Sequence, residues 1–176
     1  QLQSASRSVA IRRVKESERI QTLREKLQDG GCAIVILSTI RRAQEFAKEV
    51  REQMPDADIV LLHSAFLMPD RAARERELLQ KLGKHSTKAE RDHLIVIGTS
   101  VLEQSLDIDG DVMLTDLCPM DLLLQRLGRL HRHPVHDAMR PEQLKAAQCY
   151  VIEPDEDAFE SGTRAIYGDY LLMRTR

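Results

Sequence analysis

The stretch Cys32-Ala33-Ile34-Val35-Ile36-Leu37 decides the fold of this chain. An apolar run with no polar alternation marks a strand covered on both faces. Such strands belong to parallel sheets, whose crossovers lay helices on each side. Upstream, Ser17 can cap a helix in which Ile20, Leu23 and Leu27 recur at helical spacing, and Gly30-Gly31 ends it. Downstream, Ala43, Phe46, Ala47, Val50 and Met54 share one face of an amphipathic helix closed by Pro55. The alternation then repeats. Residues 59–62 read as a strand, and a helix runs from Pro69 through Leu78, Leu79 and Leu82 to Gly83. Residues 94–97, 112–115 and 149–152 are further strands, with a helix expected from about residue 121 to 131. Residues 84–92 and 134–143 read as polar loops. The expected class is therefore α/β, a doubly wound, mostly parallel sheet flanked by helices.

Composition narrows the function classes. The chain has 176 residues, room for one domain with a sizeable core. Apolar residues at 42% and charged ones at 31% describe a globular chain, and the apolar runs are strand-sized, far below the roughly 20 residues of a membrane helix. A net charge of −2 argues against binding by bulk positive charge, and aromatics at 3% argue against a base-stacking surface. Cys32, Cys118 and Cys149 form no CxxC pair, which points to reduced thiols in the cytosol. With no signal peptide and no starting Met before Gln1, the chain is expected to be a piece of something longer.

Ligands of such sheets gather beyond the carboxyl ends of the strands. Those ends are Ser38-Thr39-Ile40-Arg41, His63-Ser64-Ala65-Phe66 and Gly98-Thr99-Ser100. Each carries a hydroxyl just before an expected helix start. Hydroxyls and backbone N–H groups there can hold phosphate without excess Lys or Arg, and they can equally be ordinary caps.

The strongest local signal is Gln125-Arg126-Leu127-Gly128-Arg129-Leu130-His131-Arg132. Leu123, Leu127 and Leu130 should pack inward, leaving Arg126, Arg129 and Arg132 at every third position. Gly128 inside a helix costs about 1 kcal/mol relative to Ala, so a close approach is expected there. Guanidinium forks match phosphate oxygens, which favours a polyphosphate over a merely solvated basic face.

A second signal is acidic. Asp107, Asp109, Asp111 and Asp116 follow closely, but Gly110 falls too early for a calcium loop. Clustered carboxylates holding Mg²⁺ for a nuclease, or a plain acidic turn, both remain open. Gly83-Lys84-His85 lacks the first glycine and the hydroxyl of a phosphate loop. His131, His133 and His136 are interrupted by Pro134 and have no flanking Cys pair, a poor zinc pattern. No Ser-His-Asp set stands out, and no metal ligand is expected.

The run Thr99-Ser100-Val101-Leu102-Glu103-Gln104-Ser105-Leu106-Asp107-Ile108-Asp109, the run from Gln125 to His133, and the pairs Ser38-Thr39 and His63-Ser64 resemble motifs of the second RecA-like domain of superfamily 2 helicases. The wording is closer still to the CRISPR-associated helicase–nuclease of type I systems. The likeness extends from about residue 9 to residue 154.

The resemblance implies that residues 1–153 are the second RecA-like domain and residues 154–176 begin a C-terminal accessory segment. It implies an ATP-dependent helicase with ATP between two RecA-like domains and single-stranded DNA crossing both. Arg129 and Arg132 would be arginine fingers, with Gln125 assisting at the terminal phosphate. Asp107 would hold the ribose hydroxyls, with Arg126 also on the nucleotide. Ser38, Thr39, His63, Ser64, Thr99 and Gln104 would touch the DNA backbone. ATP and Mg²⁺ would be held mainly by the first RecA-like domain and cleavage done by a nuclease domain, neither present, so this fragment alone should be inactive. The implied partners are those two domains, single-stranded DNA and the CRISPR guide-RNA surveillance complex, in the prokaryotic cytoplasm and away from membranes. Two departures stand out: Ser38 where the family often has Asn, and Ala65 where it usually has Arg. Two rival readings are a Mg²⁺ nuclease built on Asp107, Asp109 and Asp111, and a non-catalytic nucleic-acid-binding module.

Overall fold

All residues of β2 (Cys32–Ile36) are buried, as their uninterrupted apolar character requires. The computed structural model describes residues 8–65, 67–104 and 106–155. Around β2 lie β1 (Ala10–Lys15), β3 (Asp58–Leu62), β4 (Leu94–Gly98), β5 (Val112–Asp116) and β6 (Gln148–Glu153), in the order β1-β6-β5-β2-β4-β3. Every pairing is parallel.

Alternate residues of β2 serve two cores. Ala33 and Val35 pack with Leu23 of α1 (Arg19–Lys26) and with Phe46 and Val50 of α2 (Ile40–Gln53). Cys32, Ile34 and Ile36 face Leu78 and Leu82 of α3 (Met68–Leu82) and Leu123 of α5 (Met120–Leu127). Each such Leu, Ile or Phe contributes about 1.5–3 kcal/mol of burial. α1 ends at Lys26 with Leu27 as its C-cap, earlier than the expected Gly30-Gly31, which turn the chain into β2 with φ of +95° and +93°, where a side chain would strain the backbone.

Several expectations are corrected. Residues 10–15 form a sixth strand, on the sheet edge beside β6, with Arg12 and Arg13 exposed. Ser17 caps nothing. It sits in a 3-10 turn (Glu16–Glu18), and its hydroxyl donates to Asp155 Oδ1 at 3.1 Å. Within the expected loop at 84–92 lies α4 (Lys88–Arg91), started by a reciprocal Thr87–Glu90 capping box. Residues 134–143 hold two 3-10 turns, Pro134–Met139 and Glu142–Leu144.

The correction that matters most is at α5, which ends at Leu127 with Gly128 as its C-cap. Gly128 terminates the helix instead of admitting a neighbour, so Arg129 and Arg132 leave the helical stripe that sequence spacing drew. Among the described residues, no helix is long and apolar enough to cross a membrane. Phe66, Ser105 and the expected accessory segment from 156 onward lie outside the described residues.

Candidate nucleotide and nucleic-acid site

Because β2, β4 and β3 are neighbours, Ser38-Thr39, Thr99 and His63-Ser64 emerge along one edge of the sheet. Their exposure differs. Thr39 is the N-cap of α2, its Oγ1 accepting from Arg42 N at 3.1 Å, so here the cap reading holds. Ser38 is exposed, while its backbone N donates to Asp116 Oδ2 at 2.7 Å. Thr99 and His63 are buried, whereas Ser64 and Gln104 are exposed. Burial, then the charge of Arg74, lowers the His63 pKa, and His63 Nδ1 accepts from Ala65 N at 3.2 Å. Between β2 and β5 the edge opens into a crevice of about 260 Å³ lined by Glu16, Ser38, Arg42 and Asp116. Arg42 fills its floor, with Nε and Nη2 donating to the two Asp116 oxygens at 2.8 and 2.7 Å.

The second half of the site lies where the chain leaves α5. His131 adopts φ +49°, a left-handed conformation uncommon for a residue with a side chain. Its backbone N donates to Gly110 O at 3.0 Å, and its Nε2 lies 2.8 Å from Asp111 O. This turn brings Arg132 N to Asp109 Oδ1 at 2.9 Å. Arg132 Nε then donates to Asp107 Oδ1 at 2.7 Å, and His133 Nε2 sits 2.9 Å from that same oxygen. The hydrogen bond from Arg132, with His133 and the arginine's charge, outweighs burial and holds the Asp107 carboxyl below the usual range, so it is ionised at neutral pH. Arg129 Nη2 donates to Glu103 O at 3.1 Å.

Arg126 behaves differently from its two neighbours. It is 4% exposed, with Nε donating to Glu103 Oε2 at 2.6 Å and Nη1 to Thr115 Oγ1 at 2.7 Å. Its guanidinium points into the domain, away from any surface ligand. The expected nucleotide contact of Arg126 is therefore replaced by a supporting one, since the Glu103 backbone it secures is the one that holds Arg129. Gln125 is exposed on α5. Among the described residues, the buried side-chain nitrogens and oxygens without a hydrogen-bond partner are Arg129 Nε and His133 Nε2. Such orphans are rare in native proteins, and both of these fall in one motif.

Among the described residues, no group of His, Cys, Asp and Glu is arranged to hold a metal ion, and the acidic run meets arginines instead. Asp109 Oδ2 takes Arg140 Nη2 at 2.9 Å and lies 2.6 Å from His136 Nδ1. Asp111 Oδ1 accepts from Arg91 Nη2 at 2.9 Å and from Arg140 Nη1 at 2.6 Å, and Asp111 Oδ2 accepts from Cys32 N at 2.9 Å. Arg91 and Arg140 already neutralise Asp109 and Asp111, which leaves those two carboxylates poorly suited to a divalent cation and weakens the Mg²⁺ reading. Burial would raise both pKa values, yet the arginines bring them below the usual range. Ser86 Oγ, 3.4 Å from His136 Nε2, completes a Ser-His-Asp series that sequence spacing hid. It is fully buried, and Ser86 donates to Gly83 O at 2.8 Å, so it serves structure and not acyl transfer.

Residues 29–135 match the family described as CRISPR-associated nuclease/helicase Cas3, C-terminal. The Streptococcus thermophilus CRISPR-associated nuclease/helicase Cas3 is 43% identical over 97% of this chain, which spans 18% of that relative's length. The chain belongs to the Cas3 C-terminal family. The T. fusca Cas3-ATP crystal structure shares its fold with a TM-score of 0.78 at 29% identity, over 97% of this chain and 21% of that one. A chain of a CRISPR RNA-guided surveillance complex, pre-nicking, aligns with a TM-score of 0.75 at 27% identity, over 97% of this chain and 23% of that one.

The sheet is thus the RecA-like α/β fold of Cas3. Within this Cas3 domain the site gathers Arg129, Arg132 and Asp107, with Gln125 nearby in sequence on the exposed side of α5. Ser38, Thr39, Ser64 and Gln104 stand exposed, whereas His63 and Thr99 are buried. Sequence reasoning missed Glu103, His133 and the Arg91–Arg140 pair. Only the adjacency of His133 to the arginine motif offered a signal for any of them.

Proposed function

We propose that this chain is the second RecA-like half of an ATP-driven single-stranded DNA translocase that unwinds DNA for degradation in type I CRISPR interference. The observation that carries the reading is the buried Arg129 Nε, which has no hydrogen-bond partner among the described residues, beside the Asp107–Arg132 ion pair. A donor left without partners in the domain alone is what a ligand or a facing domain completes. Arg129 and Arg132 act as arginine fingers, Gln125 works at the terminal phosphate, and Asp107 holds the ribose. Arg126 acts from behind them. ATP and Mg²⁺ are gripped mainly by a first RecA-like domain, and cutting belongs to a separate nuclease domain. The guide-RNA surveillance complex is the partner that delivers DNA, in the prokaryotic cytoplasm. The share of relatives' length that this chain spans supports a multidomain setting.

Single-stranded DNA lies along the carboxyl edge of β2, β4 and β3. Ser38, Ser64 and Gln104 contact its phosphates directly, while Thr39, His63 and Thr99 shape the edge. Hydroxyl and amide contacts of this kind need no net positive charge, in keeping with the −2 of the chain. Ala65 supplies no cation there. The rival of a non-catalytic module is disfavoured, because a decayed site has no reason to keep strained His131 turning Arg132 toward Asp107.

Phosphoryl transfer spreads negative charge over the equatorial oxygens, and arginine fingers accelerate it by about 10³–10⁵-fold, or roughly 4–7 kcal/mol. They do so only when two domains close, which couples hydrolysis to movement. The test is R129A/R132A in the full-length protein. DNA-stimulated kcat should fall by about that factor with single-stranded DNA affinity retained. Parental turnover would refute the assignment. The isolated chain should show no DNA-stimulated ATP hydrolysis.

A further inference from the structure

We propose that His133 is a positioning residue for the ribose contact. It holds Asp107 in place when Arg132 leaves it for the phosphates of a ribonucleoside triphosphate. This rests on the reading of Asp107 and Arg132 given above.

One oxygen, Asp107 Oδ1, faces two cationic or donor groups at once: Arg132 Nε at 2.7 Å and His133 Nε2 at 2.9 Å. Arg132 has the aligned hydrogen bond, and His133 Nε2 is left buried without one. An arginine that swings toward developing phosphate charge must abandon Asp107. The waiting imidazole, 2.9 Å from the same oxygen, is placed to keep that carboxylate aimed. The Nε2–H tautomer does so with no change of backbone, because the nitrogen is already within hydrogen-bonding distance.

The imidazole is itself braced. Its ring meets that of His136 edge to face, with centroids 6.0 Å apart and planes at 82°. His136 is fully buried with Nδ1 2.6 Å from Asp109 Oδ2, and Arg140 Nη2 donates to the His133 carbonyl at 3.3 Å. A line of fixed groups therefore runs from the buried acidic cluster through two rings to the exposed carboxylate.

The experiment uses the full-length protein, saturating single-stranded DNA, and ATP against 2′,3′-dideoxy-ATP. His133→Phe keeps an aromatic ring, somewhat larger, against His136 and removes both ring nitrogens. His133→Gln keeps an N–H donor of similar reach. In H133F, KM for ATP should rise about tenfold with kcat within about twofold, the pattern of a lost ground-state contact. KM for the dideoxy nucleotide should not move, so sugar discrimination shrinks, and H133Q should restore most of it. A KM rise that is equal for both nucleotides, a loss confined to kcat, or an H133Q no better than H133F overturns the proposal. D107A separates the two claims. If it leaves KM for ATP unchanged, the ribose role of Asp107 fails and His133 has nothing to position. If it abolishes sugar discrimination while H133F does not, only the role of His133 fails.

Discussion

Replacing Arg140 by Met tests whether the buried cluster at the amino end of the sheet holds the domain together. The guanidinium is 1% exposed and donates to Asp111 Oδ1 at 2.6 Å, Asp109 Oδ2 at 2.9 Å and the His133 carbonyl. Its removal leaves two buried carboxylates facing Arg91 and His136. Removing one partner of a buried pair costs about 3–5 kcal/mol, because the uncompensated charge stays buried. In a domain of this size each kcal/mol moves Tm by about 2–4 °C, so R140M should melt roughly 6–20 °C lower. The check is thermal and urea unfolding at pH 7. Adding Asp109→Asn should recover part of the loss by removing the surplus charge. The pH dependence has a definite sign. Asp109 and Asp111 have depressed pKa values when folded, so their contribution is present above the unfolded value of about 4 and is lost as pH falls through the lower folded values. R140M should flatten that acid limb. A loss below about 1 kcal/mol, the worth of an exposed pair, would refute the reasoning.

Two further outcomes are expected. Thr87→Ala removes the N-cap of α4 and its reciprocal bond with Glu90, and urea unfolding should show a loss of about 1 kcal/mol. Arg126→Lys keeps the charge but cannot reach both Glu103 and Thr115. It should cost about 1–3 kcal/mol in unfolding and, through the Glu103 carbonyl that holds Arg129, slow ATP turnover in the full-length protein.

Where burial on two faces dictated the sequence, the sequence could be read. The short apolar runs of β2, β4 and β5, bounded by turn residues, favour buried strands, and the helices between them follow. At the edge the signal fades. β1 is Ala-Ile-Arg-Arg-Val-Lys, whose arginines face solvent and interrupt the alternation. The Thr87–Glu90 spacing was a legible capping box hidden by its charged surroundings. The three-residue recurrence of Arg126, Arg129 and Arg132 misled because Gly128 closes the helix between them. One arginine turns inward and two join the loop. The acidic run misled for another reason: its cations, Arg91 and Arg140, lie far along the chain, beyond any local pattern.

Asp109 connects these findings physically. One of its oxygens fixes the backbone of Arg132, and the other fixes His136 and Arg140. Two residues later Asp111 anchors Cys32 at the start of β2, and β5 then crosses the whole core to Thr115 and Asp116. Thr115 takes Arg126 there, while Asp116 takes Ser38 N and Arg42. On the proposed reading, β5 thus joins the nucleotide-facing loop to the DNA-facing edge. A strand buried on both faces cannot slip by one residue without turning its apolar side chains into the wrong core. It therefore passes displacement along its length as a rigid element. Movement at Arg132 on nucleotide binding should accordingly reach Ser38 as a shift of the whole edge, with no local loosening between them.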